Sequence, residues 1–224
     1  MYPPGLYCIC CGKITDGRRT YGLCNDCMRS MNWITERHCT KCGRPLSENN
    51  PGSLCFGCAQ RKASGQSFCF NRGYACAGYG AVEQSVIFAL KYGGRADIGD
   101  VIGEIMYDRM LAEFEPDELA GMYDLVIPVP THRDKMLKRG FNHAALIGES
   151  FSKKAGLCFD SGAMVRTKAT APMKGLGPEE RLSNIRGAFM IRSSRLPLIE
   201  VTLKATAISR ATILRSRSVS NPLL

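Results

Sequence analysis

Through the first sixty residues the apolar positions come in ones and twos between turn-forming Gly, Pro, Asn and Ser, too sparse to build a hydrophobic core. Beyond residue 70 the pattern becomes an alternation of strand and helix signals. Residues 74–79 (Tyr-Ala-Cys-Ala-Gly-Tyr) predict a short strand. Residues 81–92 predict a helix with Val82, Val86, Ile87 and Leu90 on one face, ended by Gly93-Gly94. Residues 97–114 predict a second helix, started by Asp97 and turning Ile98, Val101, Ile102, Ile105 and Met106 inward. The continuous apolar run at 124–129 suits a buried parallel strand, stopped by Pro128 and Pro130, which cannot donate to a ladder. A helix over 143–155 capped by Asn142, a strand at 163–166, a short helix opening at Gly177-Pro178 and a strand near Phe189 complete an α/β pattern.

What organises the amino-terminal part is sulfur. Eight of the twelve cysteines form two like sets, Cys8, Cys11, Cys24, Cys27 and Cys39, Cys42, Cys55, Cys58, each of the form C-x2-C, twelve residues, C-x2-C. Every member of the first set lies 31 positions before its counterpart, and Gly12 and Gly43 follow the second cysteine of each. A C-x2-C turn presents two sulfurs to one ion, and a second such turn completes a tetrahedron. The expectation is two structural zinc ions that supply the folding energy a core cannot. An iron site and disulfides are the competing readings, and pairing within each set competes with a cross-braced arrangement. Cys10 falls outside the repeat, because its counterpart is Lys41. Cys69, Cys76 and Cys158 read as small core residues, and His38 as a surface residue.

The formal charge of +10 changes the picture less than it first suggests. Residues 1–70 hold 9 Lys/Arg against 4 Asp/Glu, residues 71–200 hold 17 against 16, and residues 201–224 hold 4 against none. Each zinc with four thiolates carries a net −2, which nearly cancels the surplus of the first seventy residues. No stretch is apolar enough to span a membrane and no signal peptide is evident, so a cytoplasmic location with reduced thiols is expected.

One charged segment remains. Between Pro130 and Gly140 lie His132, Arg133, Lys135, Lys138 and Arg139. A basic loop at the carboxyl end of a parallel strand, ahead of a helix, is where α/β folds bind phosphates; a solvated loop has the same composition.

These residues, taken together, resemble the ComF family. The resemblance is carried by the cysteine-rich ribbon, by Leu90-Lys91-Tyr92-Gly93-Gly94-Arg95, by Ile127-Pro128-Val129-Pro130, by Lys138-Arg139-Gly140-Phe141-Asn142, and by Arg181, Asn184, Arg186, Gly187, Ala188 and Phe189 in that order. It implies a double zinc ribbon over 1–62 followed by a type I phosphoribosyltransferase-like parallel sheet over 70–200, in a protein linked to DNA uptake. It further implies that His132, Arg133, Lys138 and Arg139 face the pyrophosphate of phosphoribosyl pyrophosphate, bound with Mg²⁺.

The chain departs from that family where the ribose and 5-phosphate should be held. After Asp160 there is no Asp, after Glu180 the sole acid is Glu200, and after Gly187 there is no glycine to bring backbone close to a phosphate. Lys174 stands where relatives often carry Gln. Residues 201–224 are expected to form no regular element, as though a frameshift had replaced the sequence near residue 200, leaving the strand at 124–129 short of a neighbour. The expected function is therefore a ComF-like protein with weak or no transferase activity, in which the Mg²⁺ complex matters only with an intact site. The alternative is a ribbon module that binds single-stranded DNA or a protein of the uptake machinery, with Tyr21, Trp33 and Phe56 available to stack on bases.

Overall fold

A computed structural model describes residues 6–15, 21–35, 37–171, 173 and 175–192, together with the backbone of 211–214. The chain divides into two compact units, residues 1–113 and 114–224.

In the first unit two short helices, α1 (Asn25–Arg29) and α2 (Phe56–Ala63), belong to the cysteine-rich ribbons, and two longer ones, α3 (Ala81–Tyr92) and α4 (Ile98–Leu111), pack on each other. Helix α3 has the predicted bounds, with Val86 and Leu90 buried. The segment predicted as a strand at 74–79 is not one. Its backbone is spent on the ribbons, through a single bridge between Trp33 and Ala77, the Ile34 N–H donating to Cys76 O (3.0 Å) and the Gly78 N–H to Asn32 O (2.7 Å). Asp97 precedes α4 but does not cap it with its side chain; its carboxylate takes two prongs of Arg95, at 2.9 and 2.7 Å, instead.

Two acids, Glu83 buried and Glu113 half-buried, tie helices to ribbons. Glu83, in the first turn of α3, accepts from the N–H of Asn32 (2.6 Å), the side-chain amide of Asn32 (3.2 Å) and the N–H of Gly80 (2.9 Å). Burial opposes its ionisation, but these donors outweigh it and hold the carboxyl below its ordinary range. Glu113 accepts from Arg109 (2.6 Å) and Arg72, with His38 Nε2 at 3.1 Å, and Arg109 also donates to Ala75 O (3.2 Å). His38 is thus a half-buried partner, its side chain 17% exposed, rather than the surface residue expected. The cause is tertiary: Glu113 and Arg109, more than seventy positions further on, meet the ring.

Glu83→Gln is expected to destabilise the first unit by about 2–3 kcal/mol at neutral pH, because an amide NH₂ replaces one acceptor among the donors it must face. A carboxyl with a lowered folded pKa stabilises above its unfolded value, near 4.5, and that contribution is lost as pH falls through the folded pKa. The gap between wild type and variant in denaturant titrations should therefore shrink towards pH 3.

The second unit opens with α5 (Pro116–Met122), with Pro116 at its first turn, and continues into β1 (Leu125–Pro128). The sequence then folds as α6 (Arg133–Arg139), α7 (His143–Ala155), β2 (Cys158–Phe159), β3 (Met164–Arg166), α8 (Pro178–Ile185), β4 (Phe189–Ile191) and β5 (Ala211–Leu214). Strand β1 pairs in parallel with β2 and antiparallel with β5, in the order β2-β1-β5, while β3 and β4 form an antiparallel pair. Val126 and Ile127 are fully buried, the latter clustered with Ala163 and Met164. Helix α7 runs beside β1 with Ile147 and Phe151 inward.

Two expectations need correcting here. Residues 211–214 do form a strand, so β1 has a neighbour on each side; the rest of the 201–224 segment lies outside the described residues, as does Lys174. Cys158 is exposed, because β2 is an edge strand whose first side chain points out.

Candidate metal centres

The 31-residue repeat of the sequence is a repeat of hydrogen bonds. Cys8 N–H donates to Lys13 O (2.7 Å) and Cys39 N–H to Arg44 O (2.8 Å), closing each first knuckle. Ile9 N–H reaches Gly22 O (2.9 Å) and Thr40 N–H reaches Ser53 O (2.9 Å), bringing the second knuckle of each set beneath the first. The bridges Tyr7 with Ile14 and His38 with Pro45 repeat in the same register. Cys24 and Cys55 stand as N-cap residues of α1 and α2, in near-equal extended backbone (φ −72° and −68°). That geometry turns Cys27 and Cys58 inward one helical turn later, beside their partners.

Each set therefore converges on its own point. The four sulfurs of Cys8, Cys11, Cys24 and Cys27 lie within 4.8 Å of one another, as do those of Cys39, Cys42, Cys55 and Cys58. Pairing is sequential, and the cross-braced alternative does not fit. A zinc ion with Zn–S of about 2.3 Å needs sulfurs about 3.8 Å apart. Cys11 and Cys24 are 3.6 Å apart, and Cys42 and Cys55 are 3.7 Å apart. Burial resists ionisation of Cys8, but the backbone N–H groups of Cys11, Cys24 and Cys10 overcome it and pull the thiol down to about 6. Cys39 is pulled to about 6 in the same way, by the N–H groups of Cys55, Cys42 and Lys41. Cys27 and Cys58 are pushed up, first by burial and then by the neighbouring thiols. Four thiols this close cannot all ionise alone, and a central dication removes that conflict. The two donor sets fit two structural zinc ions. Cys39 is fully buried, and the second set is packed by Leu46, Leu54 and Phe68.

In the second unit the basic segment after β1 is helical rather than a loop. His132 is the N-cap of α6, its ring accepting from Asp134 N–H (3.4 Å), and Gly140 ends the helix in the left-handed region (φ +79°). Arg133 and Lys138 are exposed and Arg139 half-buried. Asn142 then accepts from Thr131 Oγ1 (3.0 Å) and Ala144 N–H (3.2 Å), which locks the exit from β1 to the start of α7. The ammonium of Lys135 is held low by burial and by the charges of Arg166 and Arg139, so these cations share a neighbourhood. Arg166, at the end of β3, stacks on Phe189 (5.4 Å) and was not foreseen; no local pattern joins it to a helix 27 residues earlier.

A family model for a double zinc ribbon domain matches residues 1–59. The DNA utilization protein YhgH of Shigella flexneri is 27% identical over 188 residues, covering 84% of this chain and 78% of the relative. Its counterpart in Escherichia coli K12 is 26% identical over the same span. Competence protein F of Haemophilus influenzae is 22% identical over 174 residues, covering 78% of this chain and 72% of that protein. The chain carries a double zinc ribbon and, over most of its length, is similar to DNA utilization and competence proteins. No solved structure matches. Among the residues that carry the resemblance, Asn184 holds backbone as Asn142 does. Asn184 accepts from the N–H of Ala171 (3.2 Å) and donates to its carbonyl (3.0 Å), pinning the segment between β3 and α8.

Proposed function

We propose that this chain is a ComF-type protein acting in the uptake or use of DNA, its ribbons serving as a binding module and its α/β unit as a phosphoribosyltransferase-like scaffold of low or no transferase activity. The observation that supports this is the extent of the likeness: an aligned span of 188 residues, 27% identical to a DNA utilization protein, running far past the ribbons at 1–59. The site is read as cytoplasmic.

In this reading His132, Arg133, Lys138 and Arg139 would meet a pyrophosphate, with Lys135 and Arg166 adding to the positive field. Mg²⁺ would enter only together with phosphoribosyl pyrophosphate. The acid pair and Gly-containing turn that would hold ribose and 5-phosphate are absent from the sequence after Gly187, so positioning of the sugar carbon, on which transfer depends, has no support. Labelled phosphoribosyl pyrophosphate with Mg²⁺ is therefore expected to bind no tighter than about 1 mM, a free energy near −4 kcal/mol. Micromolar affinity by equilibrium dialysis would overturn the claim of low activity. The wider reading is tested in a transformable strain lacking its own family member. Expression of this chain should restore DNA uptake, and failure to do so at normal protein levels counts against it.

A further inference from the structure

The two ribbons share a backbone but not a surface. Over equal 31-residue windows, 6–36 holds four Lys/Arg and three Asp/Glu, whereas 37–67 holds five Lys/Arg and one acid, Glu48. With a net −2 for each zinc–thiolate centre, the first copy is close to −1 and the second close to +2. The divergence is localised. In repeat register, Cys10, Ser30 and Met31 of the first copy correspond to Lys41, Arg61 and Lys62 of the second.

Those three substituted positions converge in space. Lys41 Nζ lies 4.8 Å from the ring centre of Phe68 and 5.3 Å from that of Phe70; the Arg61 guanidinium lies 5.7 Å from Phe68. The two rings meet edge to face at 5.8 Å. Lys62 joins Lys41, Thr40, Leu54 and Phe68 around an open cavity of about 320 Å³. Lys41 is held in position by Asn71 O (2.7 Å), and Phe68 packs against the second cysteine set, so the surface is built on the metal centre. Glu48 lines a different cleft, with Arg37. On the same helix, Phe56 replaces Asn25 of the first copy and is 80% exposed.

We propose that the Lys41–Arg61–Lys62 face of the second ribbon, with Phe68 and Phe70 beneath it, binds single-stranded nucleic acid, while the first ribbon does not. This deepens the DNA-handling reading and rests on it. Fixed cations over aromatic rings suit a phosphate backbone with unstacked bases, and an exposed phenylalanine offers a face for stacking that a closed duplex cannot use. Tyr21 and Trp33 do not serve this purpose. They pack on each other at 5.9 Å, Tyr21 donates to Asp108 (2.6 Å) and Trp33 to Met28 O (3.1 Å).

The test is fluorescence anisotropy of the zinc-loaded full chain with labelled oligo(dT). Lys41→Glu/Arg61→Glu/Lys62→Glu, and the milder triple Ala variant, are compared with the first-ribbon control Lys13→Glu/Arg29→Glu. Zinc content verifies that each variant is folded. The expected result is a loss of tenfold or more in both second-ribbon variants, with the salt slope falling by about 2 for three lost phosphate contacts. The control should bind as wild type does. Undiminished binding by the triple variants, or displacement of the oligonucleotide by polyglutamate at lower concentration than by unlabelled DNA, would overturn the proposal. Either result leaves the DNA-handling reading to stand or fall by the transformation assay.

Discussion

Replacing Cys39 by Ser is expected to lower zinc from two equivalents per chain to one, leaving the first ribbon loaded. Cys39 is the fully buried thiol of its set and the one most readily ionised, because three backbone N–H groups face its sulfur. A serine hydroxyl does not ionise there, so the second ion would be left with three thiolates. Structural zinc contributes about 10–16 kcal/mol to the folding of isolated sites, so loss of the ion rivals the total stability of a small domain, about 5–15 kcal/mol. The second ribbon should therefore unfold locally, exposing Phe68, which packs against its cysteines. Metal analysis by emission spectroscopy, with cobalt substitution to report which thiolate set survives, checks both parts. Cys10→Ser is the matched control and should keep two equivalents, because the repeat passes over Cys10. Retention of two ions in Cys39→Ser, or loss of both, would contradict independent sites.

That separation of sites was only half legible in the sequence. Ligand identity followed from spacing, because C-x2-C fixes the geometry of a knuckle locally. The partner of each knuckle is a tertiary fact, settled by the Ile9–Gly22 and Thr40–Ser53 backbone bonds. Helices α3 and α7 were legible for the same local reason: periodicity, and an Asn142 side chain that caps as predicted. What failed depended on distant neighbours. The 74–79 segment has a strand-like composition, yet its hydrogen bonds go to Asn32 and Ile34. The polar segment at 132–139 is the exception, a local failure: it reads as loop on charge, yet an N-cap at His132 and a left-handed Gly140 frame a short helix. His38 and Glu83 are drawn away from solvent because groups far apart in the chain meet there, Glu113 at the one and Asn32 at the other, which no period in the sequence records.

The glycines that follow the second cysteine of each set separate local from tertiary cost. Gly12 and Gly43 have nearly the same backbone, φ +74° and +71°, as the knuckle requires. An alanine in that region costs about 1–2 kcal/mol on conformation alone. At Gly12 an added Cβ meets nothing within 4 Å, so Gly12→Ala should cost no more than that. At Gly43 the same Cβ would sit 2.7 Å from Gly73 O and 2.8 Å from Ala75 N, both backbone atoms of the segment that crosses the ribbon. That segment is itself fixed, since Gly73 N–H donates to Lys41 O (2.8 Å) and Arg109 to Ala75 O. Relief requires shifting backbone, and overpacking of this kind adds about 1–3 kcal/mol. Gly43→Ala is expected to destabilise the first unit by about 2–5 kcal/mol, against about 1–2 kcal/mol for Gly12→Ala, measured by denaturant unfolding of zinc-loaded protein. Equal losses at the two positions would mean that the crossing segment yields freely, and that the second ribbon is held by its metal alone.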